Sequence, residues 1–186
     1  MHALKEWAIV CKALEEGRQV VLLRKGGILE YRQGFEVKHE KFLMFPTFEH
    51  QSKNHLQPEY SDRLDGVLKN APAEGMNTLS CYAQVLDVKE ITDRSVLKLL
   101  EKYHTWNESY VNARMDYNPK KPMSVILLRV FNLDIPIQVE IKQEWAGCKS
   151  WIPLDMNVMG RAEPALSDSQ FDKAAAEVRE VLSIAA

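Results

Sequence analysis

The segment Val20-Val21-Leu22-Leu23-Arg24-Lys25-Gly26-Gly27-Ile28-Leu29-Glu30 runs an apolar strand into two cations and a double glycine. Adjacent glycines allow backbone conformations and close approaches that side chains block, so exposed amides and two cations at a strand end form a candidate anion site. Its expected ligand-binding residues are Arg24, Lys25, Gly26 and Gly27. A second cluster lies further on. His39, His50 and His55 fall within seventeen residues, among Glu36, Glu40, Glu49 and Gln51. Imidazole beside carboxylate suits divalent-metal binding or proton transfer near neutral pH. The five-residue step from His50 to His55 does not put both on one helix face, and there is no HExxH motif, so no metal ligands are assigned. If this chemistry is catalytic, the candidates are His39 or His50 as general base, assisted by Glu30 or Glu49.

Val125-Ile126-Leu127-Leu128-Arg129 repeats the pattern of an apolar run ending in arginine. A guanidinium leaving a buried strand needs a carboxylate, a carbonyl, water or a bound anion. The sequence offers Glu30, Asp134 and Glu140 as internal partners for Arg24 and Arg129; the alternative is phosphate recognition. Acid-x-Lys patterns start at Glu36, Asp87 and Glu140, but composition alone yields about two of them, so they make a weak case for a metal-dependent nuclease. P-loop, GxGxxG and GxSxG motifs are absent, which removes most support for nucleotide hydrolysis and serine-hydrolase chemistry. Ser150 and Trp151, in Gly147-Cys148-Lys149-Ser150-Trp151, are candidate ligand contacts, with Trp151 the tryptophan best placed to stack on a planar group. Cys148, beside Lys149, is the thiol to watch. Cys11 and Cys81 read as reduced, buried thiols, and His104 as a satisfied core histidine.

A chain of 186 residues, 46% hydrophobic and 27% charged, can bury a sizeable core. A formal charge of -2 and a pI near 6.2 give no global attraction to nucleic acid or anionic lipid, so polyanion binding needs a local patch. Apolar runs such as Met123 to Leu128 are too short to span a bilayer and no signal-peptide layout is present, which points to a cytoplasmic protein. One domain over 1–186 is expected, with a possible lobe seam at 70–77, where Pro72 and Gly75 fall.

Leu4, Trp7, Ala8, Cys11 and Leu14 recur at helical spacing ahead of Gly17, so the spacing predicts a helix over 3–16; a hairpin turning at Glu16-Gly17 is the rival. A strand over 19–25 and a hairpin or meander over 28–48 follow. Pro58 opens a short helix to Leu68, strand 78–91 leads into a helix capped by Asp93, and another helix covers 108–117. Residues 123–131 are apolar in both alternating sets, which predicts a strand covered on both faces at the sheet centre. Two extended pieces lie within 134–154. Ser167 and Gln170 stand at capping-box spacing before the stripe Phe171, Ala174, Ala175, Val178, Val181 and Leu182. The expected class is α+β: a mixed β-sheet with helices packed against it and a C-terminal amphipathic helix.

Four blocks, Ala3-Leu4-Lys5-Glu6-Trp7-Ala8, Leu23-Arg24-Lys25-Gly26-Gly27-Ile28, Phe45-Pro46-Thr47-Phe48-Glu49-His50-Gln51 and Gly147-Cys148-Lys149-Ser150-Trp151, resemble the prokaryotic family known as domain of unknown function 1802. The resemblance brings no activity or cofactor with it. It implies an association of some relatives with restriction-endonuclease-like domains, hence a nucleic-acid context by association. The leading expectation is a binding module for a phosphate-bearing ligand, foremost nucleic acid, built from Arg24, Lys25, Gly26, Gly27, His50 and Gln51. A metal- or histidine-dependent hydrolase and a non-catalytic interaction or homo-oligomerisation domain are the rivals.

Overall fold

The structure is a computed structural model describing residues 1–25, 35–147, 149–156 and 161–184. Gly26, Gly27, Glu30 and Cys148 lie outside the described residues. The chain opens with β1 (His2–Trp7) and passes directly into α1 (Ala8–Glu15). The predicted single helix over 3–16 is therefore corrected: its first half is a strand, paired in parallel with β3 (Lys41–Thr47) and antiparallel with β6 (Trp151–Pro153). Ladder hydrogen bonds from both neighbours override a helical periodicity that the same residues also satisfy.

The end of α1 matches its sequence signal. Gly17 adopts φ +66 and its N–H donates to Leu14 while that of Arg18 donates to Ala13, the two bonds of a Schellman motif. A Cβ at Gly17 would lie 2.9 Å from the Ala165 carbonyl and 2.7 Å from the Leu166 side chain, so glycine is required twice over.

Next come β2 (Val21–Arg24), β3, α2 (Pro58–Lys69) with its proline at the first turn, and β4 (Met76–Ile91). Asp93 accepts from Ser95 N to cap α3 (Arg94–Leu99), and Asn107 accepts from Tyr110 N to cap α4 (Glu108–Tyr117). β5 (Met123–Glu140), β6, β7 (Ala162–Pro164) and α5 (Asp168–Ile184) complete the described elements. The capping box forms as expected: Ser167 N donates to Gln170 Oε1, and Gln170 N to Ser167 Oγ.

The sheet is mixed and open, in the order β2-β5-β4-β3-β1-β6, with β7 also on β5. β4 pairs along β5 from end to end, so β2 and β7 share its other side, β2 on Ser124–Leu127 and β7 on Phe131–Leu133. β5 is thus next to an edge rather than central, a correction to the expected sheet centre. Its coverage on both faces is as predicted: Val125, Ile126, Leu127 and Leu128 are all buried. Pairing slips between Leu79 and Cys81, where Asp134–Pro136 of β5 have no partner in the ladder. The larger core joins Phe42, Met44 and Cys81 to residues of all five helices; the alternate residues Leu43, Phe45 and Leu79 pack with Trp145, Ile152 and Leu154 in a smaller one.

Candidate functional site

The direct passage from β1 into α1 leaves the first N–H groups of the helix in need of acceptors. Trp7, the N-cap residue, has no side-chain acceptor. Glu6 Oε1 takes the Trp7 N–H at 2.8 Å, and Gln51 Oε1 takes that of Ile9 at 3.3 Å. Gln51 is oriented by its own Nε2, which donates to the Thr47 carbonyl at 2.9 Å, and Thr47 Oγ1 donates to the Glu6 carbonyl at 3.1 Å. Two acceptor side chains, one anionic, thereby sit at the positive end of the helix dipole.

Glu6 is 6% exposed, and its Oε2 receives Arg24 Nη1 at 2.9 Å. Arg24 also donates through Nη2 to Ser150 Oγ at 2.8 Å and through Nη1 to the Lys5 carbonyl at 3.4 Å, with the Phe35 ring 4.9 Å from Cζ. Lys5 N donates to the Ser150 carbonyl, which ties the same two segments through the ladder. Residues from four stretches separated by up to 145 positions meet around one buried ion pair.

Arg24 and Lys25 diverge, as neighbours at a strand end do. Lys25 is 3% exposed; Nζ donates to the Met115 carbonyl at 2.7 Å and lies 3.7 Å from the Met115 thioether. That carbonyl belongs to the last turn of α4, where acceptors lack intrahelical donors. Among the described residues no carboxylate forms an ion pair with Lys25. Burial first, then the nearby Arg114 and Arg94 guanidiniums, lower its pKa, against a weaker pull from Asp116. Tyr110, on the same helix, has its pKa pushed up to about 12 by burial and the Glu6 charge, with Arg114 and Arg24 opposing. Its ring stacks on Trp106 at 3.9 Å, and Trp7 meets Trp106 edge-on, so an aromatic cluster joins the Glu6–Arg24 pair to α4.

The histidines do not assemble. His50 has φ +59, its side chain is 92% exposed, and its nearest charged partner is Glu49 at 3.9 Å, itself exposed. His39 stacks on His2 at 3.8 Å and meets the edge of Trp151 at 5.1 Å. Burial and the neighbouring His2 lower its pKa. His55 packs against Trp7 and Tyr110 instead. Among the described residues no group of three His, Cys, Asp or Glu side chains is arranged to hold a metal ion.

Trp151 donates its Nε1 hydrogen to the Glu36 carbonyl at 3.0 Å and is enclosed by Phe35, Phe42 and His39. Arg129 lies elsewhere, paired with Asp168 at 2.5 Å beneath the Phe171 ring. The internal ion pairs foreseen for both arginines exist, with Glu6 and Asp168 rather than Asp134 or Glu140; Glu30 lies outside the described residues. Sequence reasoning missed Glu6, Thr47 and Tyr110. The signal for Glu6 was its i+2 relation to Leu4, visible only if residues 2–7 are read as a strand.

A family profile described as a domain of unknown function (DUF1802) matches residues 3–177, nearly the whole chain. The protein belongs to this family. The family blocks met in the sequence are the segments that converge here: Glu6 and Trp7 from the first, Arg24 and Lys25 from the second, Thr47 and Gln51 from the third, Ser150 and Trp151 from the last. No curated protein and no solved structure matches the chain.

Proposed function

We propose that the protein is a binding module for a phosphate-bearing ligand, with the anion received where β2 ends against the last turn of α4. The observation that carries this reading is Lys25, a buried ammonium whose one strong acceptor among the described residues is a helix carbonyl. A helix C-terminus supplies roughly half a negative charge, which leaves the cation under-compensated. Arg94 and Arg114 add positive potential around it, which Asp116 offsets only in part, and an incoming anion answers the charge on Lys25. Arg24 and Gln51 serve this reading indirectly, by holding β1, β2 and α1 together. The free, buried thiols of Cys11 and Cys81 support action in a reducing compartment such as the cytoplasm.

The test is thermal unfolding in phosphate, pyrophosphate and chloride at matched ionic strength, with Lys25→Met as the variant. At ten times its Kd a ligand stabilises the native state by about 1.4 kcal/mol, a readily measured rise in Tm. The expected result is a rise in phosphate that Lys25→Met abolishes. Equal Tm values in phosphate and chloride would overturn the proposal. Short single- and double-stranded DNA across a salt series forms a separate arm, in which polymer binding weakens steeply as salt rises.

A further inference from the structure

α3 and α4 enclose a pocket of about 210 Å³. Taking about 30 Å³ per water in the liquid, that is the space of roughly seven waters, enough for a fused ring and too small for a stretch of polymer. Its floor is apolar and flat: Leu97, Trp106 and Val111 are all buried, and the Trp106 indole is held rigid by the stacked Tyr110 ring. His104 completes the wall at 2% exposure, and burial pushes its pKa down to about 4, so the wall is uncharged at neutral pH. The backbone of Leu97, Trp106 and His104 itself opposes that fall, yet among the described residues neither His104 ring nitrogen, nor Trp106 Nε1, has a partner in full hydrogen-bond geometry. Buried polar atoms left so are uncommon in native proteins, and three of them border one pocket.

The two ends of the pocket differ. At one, Glu108 pairs with Lys98 at 3.7 Å. At the other, Arg94 reaches across from α3 to Asn112 and Asp116 of α4. Because the helices run in opposite directions here, Arg94 stands beside the last turn of α4, within Coulombic range of Lys25. The Arg94 end of the slot therefore adjoins the last turn of α4, whose Met115 carbonyl holds Lys25.

We infer that the ligand is a small phosphorylated molecule with a planar ring, of mononucleotide size, its ring between α3 and α4 and its phosphate at the Arg94 end of the slot. This rests on the phosphate-binding reading and narrows it: a pocket of about 210 Å³ takes a monomer, whereas nucleic acid needs a continuous track. The ring sits over a floor that Leu97, Trp106 and Val111 already close, so its own apolar surface leaves water there, and its edge atoms offer partners to the His104 nitrogens after a small rotation of that side chain.

Calorimetric titration of the full chain with adenosine monophosphate, adenosine and inorganic phosphate separates the contributions. The variant Ser95→Trp, on the exposed side of α3 at the pocket mouth, fills the slot without touching the core, and a wild-type Tm verifies its fold. The expected result is monophosphate binding at least tenfold tighter than either fragment, with Ser95→Trp removing the gain and leaving phosphate affinity unchanged. If monophosphate and inorganic phosphate bind equally, and Ser95→Trp alters neither, the ring site is refuted while the phosphate reading stands. If neither phosphate nor monophosphate binds, both fall together.

Discussion

Replacing Arg24 by methionine preserves much of the side-chain volume and removes the one cation paired with Glu6 among the described residues. The Glu6 carboxylate is 6% exposed and the Arg24 side chain 17%, so water cannot take over the lost partner without opening the junction of β1, β2 and β6. Breaking a buried ion pair from one side costs about 3–5 kcal/mol. The lower end applies here, about 3 kcal/mol, because Glu6 keeps its bond from Trp7 N. Glu6→Gln strands the guanidinium instead and costs a similar amount. In the double variant neither charge remains, so its destabilisation falls short of the sum of the singles by about 2 kcal/mol, within the usual range for contacting residues. Urea unfolding at pH 7, with unchanged m-values, measures all three proteins against wild type. Simple additivity to within about 0.5 kcal/mol would refute the coupling. An Arg24→Met protein of full stability that fails to bind phosphate would refute it in another way, by making the guanidinium a ligand contact rather than a structural one.

Acid stability carries the imprint of His104. With a folded pKa of about 4 against an ordinary 6.5, the unfolded chain binds more protons between those values, so stability rises with pH across that window and is lost as pH falls through it. The loss attributable to His104 is about 3 kcal/mol, and His104→Phe flattens that part of a Tm-against-pH curve. Gly66, inside α2, has no left-handed φ, and a Cβ placed there would meet nothing within 4 Å, so Gly66→Ala raises unfolding free energy by about 0.5–1 kcal/mol in urea. Gly17→Ala does the reverse: a left-handed φ costs about 1–2 kcal/mol for an L side chain, and the clash with Ala165 adds to it, so the urea midpoint falls.

Much of the fold was legible where local chemistry and tertiary context agree. Pro58 at the first turn of α2, Asp93 as a cap, Gly17 after α1 and the Ser167–Gln170 box mark helix ends by satisfying backbone groups within a few residues, so the sequence carries the whole signal. β1 was not legible, because its identity depends on β3 and β6, and residue 150 lies far from residue 5 in the chain. That error hid the partner of Arg24: on a helix Glu6 reads as a solvent-facing charge, whereas on a strand it shares a face with buried Leu4. The place of β5 was obscured similarly, since coverage on both faces reflects packing above and below the sheet and not rank within it. The separation of Lys25 from Arg24 was hidden for the opposite reason. Adjacent cations invite a shared role, yet strand alternation sends their side chains apart, and the acceptor for Lys25 comes from the end of α4 ninety residues away.

The position of β1 between β3 and β6 governs the order in which the molecule is assembled. When synthesis has reached residue 140, β2, β3, β4 and β5 are all available to pair, but β1 has only one of its neighbours. Such sequence-distant pairings form late because a long loop must close before they are rewarded. The Arg24–Glu6–Ser150 junction is therefore the closing seam of the fold, and a chain shortened before Ser150 presents an open strand edge to its neighbours rather than a smaller version of the same protein.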